Sequence, residues 1–214
     1  MRLAERQAQE DDLTGSLGKL VMRGPADRYD TFTIILHWLI AVLILGLLAL
    51  GFAMTRPGID PVLQFSLFQW HKSFGMLALV LASVRLLYSL VRPSVSSSAG
   101  LSYLERRFAK AVHLLLATLA VLVPLAGWMV ASVSPLEIPT FAFNLVVVPH
   151  LPVPKSDAAE SWWTEAHALL AYFTLALVLL HSAAALHHHY RRRDDVLLRM
   201  LGRRSDPPKA SVKE

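Results

Sequence analysis

Nine histidines and no cysteine among 214 residues set the chemistry open to this chain. Imidazoles ligate metals and move protons. Without thiols there can be no disulfide, thiolate zinc, iron–sulfur cluster or cysteine-attached haem. His37, His71, His113, His167 and His181 fall in or at the edges of long apolar stretches, where a polar ring usually has a task. His167 and His181 are 14 residues apart, which on a helix returns within about 40° of one direction and separates them by about 21 Å. Two rings on one face of one helix, near opposite membrane surfaces, suit two cofactors stacked across the bilayer.

The elements that must position these rings are membrane spans. Hydrophobic residues make up 54% and charged residues only 17%, too few charges for an ordinary soluble domain. The uncharged run from Ile34 to Met54 is 21 residues long, enough to cross a hydrocarbon core of about 30 Å. Four spans are expected, at about 33–54, 67–91, 110–133 and 162–187. The second is the least obvious, because Lys72 and Arg85 interrupt it; both can snorkel, and Pro93 supplies a stop. The fold class is an all-α membrane protein, a four-transmembrane-helix bundle, over residues 29–201. Residues 1–28 lack the pattern of a secretory signal and read as a polar, mostly disordered tail, and 202–214 as a second polar tail.

Charge sets the direction. With both tails and the 92–110 loop on one side, 18 of the 21 basic residues lie there, leaving Arg56, Lys72 and Lys155 on the other. This excess predicts cytoplasmic termini, and it reflects membrane topology, with no nucleic acid implied. Trp70, Trp128, Trp162 and Trp163 then fall at the outer ends of spans, as an interfacial belt would. No nucleotide-binding loop, metalloprotease motif or nucleophile elbow is present.

With spans alternating in direction, His71 and His167 form an outer layer, and His37, His113 and His181 an inner one. Bis-histidine ligation of haem b needs two imidazoles at one depth on facing helices. The outer layer has one solution, His71 with His167. The inner layer leaves His37 and His113 open as partners for His181. A histidine-lined metal transporter is the rival chemistry, but such sites usually recruit carboxylates, and the span midplanes contain none.

Longer stretches carry a family likeness. "YDTFTIILHWLIAVLIL", with its His37-Trp38 pair, "QWHKSFGMLALVLASVRLLY", with His71, Gly75 and Arg85, and "HALLAYFTLALVLLHSAAALHHHYRRRDDVLLRM" resemble the bacterial cytochrome b561 family of di-haem membrane cytochromes. The last stretch looks particularly like the superoxide oxidase branch. The resemblance implies two b haems with iron ligands at His37, His71, His167 and His181, paired His37/His181 inside and His71/His167 outside. It also implies an electron-transfer role in the respiratory electron transport chain. Single electrons would pass from an outer-face donor, such as periplasmic superoxide, to membrane ubiquinone. A haem-bearing membrane-anchor subunit of a quinone-linked dehydrogenase or hydrogenase is the alternative, and no protein partner is specified by the residues themselves.

Other residues fit around such cofactors. Gly46, Gly51, Gly75 and Gly127 lie in or at the ends of spans and would admit a flat macrocycle or allow close helix packing. Gly75, four residues after His71, shares that ligand's face. Arg85 points as His71 does but at the inner level, where it would pair with a haem propionate or snorkel. Lys72 would do the same outside, draw an anion such as superoxide, or anchor the interface. His187, His188 and His189 would line a quinone or proton-entry site or form an interface cluster. His113 is expected to be an interior hydrogen-bonding residue, and the outer loop carrying His150 is long enough to cover the outer site.

Overall fold

The computed structural model describes residues 30–91, 102–192, 194 and 196–202. The expected tail at 1–28 and nearly all of that at 202–214 lie outside them. Four long helices, α1 (Thr31–Met54), α2 (Pro61–Val91), α3 (Tyr103–Val133) and α4 (Asp157–His187), are each long and apolar enough to cross a membrane. The four-helix membrane fold expected from composition is therefore the fold observed.

Each helix begins on a side chain that satisfies its first free amides. Asp30 accepts from Thr33 N–H at 2.7 Å, and Asp60 accepts from Val62 and Leu63 ahead of α2, whose first residue is Pro61. Ser102 and Glu105 form a reciprocal capping box on α3, and Ser156 accepts from Ala159 N–H on α4. Pro124 lies inside α3 without ending it, as membrane helices permit.

Helix α1 packs on α2, α2 on α3, and α3 on α4. The buried positions are mostly small or aliphatic, including Ser73, Ala78, Ala82, Ala126, Thr174 and Leu177, which lets backbones approach closely. Large apolar side chains such as Val42, Phe52, Leu114 and Leu169 point outward, the arrangement for a protein whose solvent is lipid.

At one end, the hairpin end, the 134–156 connection adds a feature that the helical reading did not anticipate. Strands β1 (Thr140–Ala142) and β2 (Val146–Val148) pair antiparallel, Thr140 opposite Val148. The turn between them closes through Leu145 N–H to Ala142 O at 2.9 Å, with Phe143 and Asn144 both at positive φ, 53° and 57°. Ala142 pairs with Val146, so Phe143, Asn144 and Leu145 form a three-residue loop, and Phe adopts its positive φ reluctantly. Tertiary contacts hold it. The Phe143 ring packs edge-on against Phe74 and Trp70, and its N–H donates to the buried Ser73 hydroxyl at 3.1 Å. A second buried hydroxyl, Ser132, accepts from Leu151 N–H at 3.0 Å, and Trp128 donates to Pro149 O. The Lys155 ammonium, 2.5 Å from Glu137, holds that carboxyl below the usual carboxylate range.

At the opposite, tail end, α4 continues into a π-helical turn (His188–Arg192) and then a short helix, α5 (Val196–Met200). Trp38 Nε1–H donates to Met200 O at 2.9 Å and Tyr88 O–H to Asp30. Arg192 pairs with Glu105 of the α3 capping box, and His188 Nδ1 lies 2.7 Å from Asp194.

Candidate functional site

At the hairpin end, His71 of α2 and His167 of α4 face each other with ring centroids 6.2 Å apart and planes at 86°. Both rings are placed by a glycine on the preceding helix. A Cβ on Gly51 would lie 3.3 Å from His71 Cε1, and a Cβ on Gly127 would lie 3.1 Å from His167 Cε1. Neither position tolerates a side chain without displacing an imidazole. The absence of one at Gly127 also lets the His167 ring reach past α3's surface to the Val123 carbonyl, where Nδ1 sits at 3.0 Å. A carbonyl accepts, so Nδ1 carries the proton and Nε2 remains the free lone-pair nitrogen. A hydrogen bond of this kind, from the ring's other nitrogen, is what orients a histidine that ligates a metal.

At the tail end, α1 and α4 are not among the closely packed helix pairs of the described residues. Across that seam His37 and His181 face each other at 6.4 Å, planes at 69°. His113 of α3 packs on His181 at 5.1 Å and is exposed, where an interior hydrogen-bonding residue was expected. The Arg85 guanidinium lies within electrostatic reach of His37, His113 and His181, and so at the depth the sequence assigned to it.

These separations can be tested against axial ligation. Two metal–nitrogen bonds of about 2.0–2.1 Å, plus roughly 1.1 Å from each nitrogen to its ring centre, put axial imidazole centroids about 6.3 Å apart. His71/His167 and His37/His181, at 6.2 and 6.4 Å, fit this spacing, and His113/His181, at 5.1 Å, falls short of it. Nδ1 of His37 and of His71 is buried with no hydrogen-bond partner, a costly state for an imidazole that nothing else engages. A Cβ built on Gly75 or Gly46 meets nothing within 4 Å, so a flat group beside the ligands would not collide with these helices there. No three His, Cys, Asp or Glu side chains converge among the described residues, as a bare divalent ion would require. Isolated imidazole pairs suit a metal that brings its own in-plane ligands. The residues present fit haem.

The remaining expected site residues are distributed around these pairs. Lys72 is half-buried, its Nζ 3.4 Å from the Pro139 carbonyl, so it is tied to the hairpin connection. His150 lies within the same connection, its Nε2 buried without a hydrogen-bond partner. Of the three consecutive histidines, His188 pairs with Asp194, whereas His187 rests edge-on against His188 and His189 against Tyr190. Sequence reasoning missed Ser73, Ser132 and the Val123 carbonyl. No local signal marks a carbonyl as an acceptor for a ring 44 residues away. Ser73 and Ser132, however, are polar residues inside apolar helices and on that ground were candidates for buried hydrogen bonds.

Comparison with known proteins gives a family for the chain as a whole. Residues 28–203 match the family model described as prokaryotic cytochrome b561. The chain is also 29% identical over 181 residues to "Cytochrome b561 homolog 2" of Escherichia coli (strain K12), an alignment covering 84% of this chain and 94% of that protein.

Proposed function

The chain belongs to the prokaryotic cytochrome b561 family, and from that premise we propose that it carries single electrons between the two faces of a bacterial inner membrane through two b haems. Membership, with four apolar spans, makes it a multi-pass bacterial membrane protein of the b-type haem electron-transfer class. The observation that supports two haems is the pair of facing imidazole couples, at 6.2 and 6.4 Å, gripped from opposite ends of α4.

His71 and His167 would hold one haem and His37 and His181 the other, with His167 oriented by Val123 O. Haem supplies reversible one-electron chemistry; the chain's residues set its ligation, spacing and surrounding charge. Arg85, at the depth of His37 and His181, would offset propionate charge. The positive-inside balance supports a cytoplasmic tail end and an outer hairpin end. In the finest form of the reading, two superoxide anions arriving outside each lose one electron to become dioxygen. One ubiquinone takes up the two electrons and two protons to become ubiquinol.

Pyridine haemochrome quantitation of purified protein tests this assignment. Two haems b per chain are expected, with His71→Ala and His167→Ala each retaining one. Retention of both haems in both variants refutes the ligand assignment. Superoxide-dependent reduction of added ubiquinone, abolished by superoxide dismutase, checks the donor and acceptor.

A further inference from the structure

The hairpin at the Trp-rich end exposes apolar surface of a kind that the electron-transfer reading does not use. Leu145 at its tip is 83% exposed, Val146 63% and Val147 55%. On the spanning helices such exposure is expected, because lipid covers it. On a connection between helices it needs another explanation, since water would cover it if the hairpin stood clear of the bilayer.

The hairpin does not stand clear. Phe141 O and Phe143 N–H are both hydrogen bonded to Ser73, and the Phe143 ring packs on Phe74 as well as Trp70. Ser73 is three residues, about 4.5 Å, deeper along α2 than Trp70, and Trp marks the level of the lipid headgroups. The connection therefore folds back alongside the span. Its charge agrees: from Ile138 to Pro149 there are twelve consecutive residues with none. Along the chain the nearest charges, Glu137 and Lys155, pair with each other at its base, and from α2 the Lys72 ammonium lies 3.4 Å from the Pro139 carbonyl. A soluble donor protein recognised here would be expected to meet charged or hydrogen-bonding groups, which steer and orient such encounters.

We propose that residues 138–149 form a membrane-interface element whose Leu145, Val146 and Val147 side chains enter the outer boundary of the lipid, beside α2. The paired strands satisfy part of the backbone, and the boundary region supplies water to the free strand edges, which the hydrocarbon core would not. The proposal is independent of the number of haems and of the electron donor.

The native chain has no cysteine, so single thiols can be introduced and read without background. Leu145→Cys and Val147→Cys are purified with their pigment, reconstituted in liposomes, and reacted with a charged, membrane-impermeant maleimide and with an uncharged, lipid-soluble one. Asp157→Cys, on the exposed first turn of α4, is the aqueous reference. The charged reagent is expected to react at least tenfold more slowly at both hairpin thiols than at the reference, while the lipid-soluble reagent reacts readily. A smaller difference with the charged reagent places the hairpin in water and overturns the proposal. Failure of both reagents also overturns it, since protein, a second copy of the chain included, would then be covering the face.

Discussion

Gly127→Ala isolates the placement of one imidazole. The added Cβ would lie 3.1 Å from His167 Cε1 and 3.4 Å from its Nδ1, against an ordinary carbon–carbon contact of about 3.5 Å. The ring must retreat by about 0.4 Å, or α3 and α4 must part by as much. A retreat directed away from α3 stretches the bond to Val123 O from 3.0 Å towards 3.4 Å, outside the useful range. Loss of that bond alone costs about 0.5–1.5 kcal/mol. Loss of an orienting partner behind a metal ligand typically weakens metal binding about 10–100-fold, or about 1.4–2.7 kcal/mol. Alanine is meanwhile the better helix former by about 0.5–1 kcal/mol, so the helices themselves should be no less stable. The expected phenotype is a folded protein whose hairpin-end haem is lost more readily on dilution, or has a shifted midpoint potential, while the tail-end haem is unchanged. Potentiometric titration followed in the visible spectrum resolves the two components. Full occupancy with both potentials unmoved would refute the argument that this glycine sets the ligand. Gly51→Ala, which meets His71 Cε1 at the longer distance of 3.3 Å, should act in the same direction more weakly.

Gly75→Ala makes the opposite comparison, because its Cβ meets no protein atom within 4 Å. The haem-free protein should be as stable as the parent or slightly more so, and any loss of pigment must come from the group held beside His71. Equal pigment in variant and parent would remove Gly75 from the cofactor's surroundings. Ser73→Ala deletes the hydroxyl that accepts from Phe143 N–H and lies 3.0 Å from Phe141 O, leaving these groups short of a partner at a cost of about 1–3 kcal/mol. Amide exchange across residues 140–148 should accelerate by about 5–150-fold while the helices keep their protection. Unchanged exchange there would mean that the aromatic contacts alone hold the hairpin.

Much of this molecule was legible in one dimension. Spans announce themselves because a bilayer demands long uncharged runs, and the 14-residue interval between His167 and His181 places two rings on one helix face whatever the rest of the chain does. The depth of Arg85 followed from the same arithmetic. Helix spacing within one segment is a local property, so sequence determines it. What lies across from a residue is not local. The choice between His37 and His113 as partner of His181 depended on how helices pack, and spacing left it open. In the packed bundle both rings lie beside His181, His37 at 6.4 Å and His113 at 5.1 Å, and the proposed pairing rests on the former spacing. The roles of Gly51 and Gly127 were likewise hidden, because a glycine's value here is the side chain of another helix that it admits. The hairpin was the least legible element. Its loop holds Phe143 at positive φ, where local preference asks for Gly or Asn, and Ser73, Trp70 and Phe74 on a distant segment hold that conformation. The sequence by itself determined which segments cross the membrane and at what depth each histidine lies; only the tertiary structure decided which rings face each other, because that depends on contacts between residues far apart in the chain.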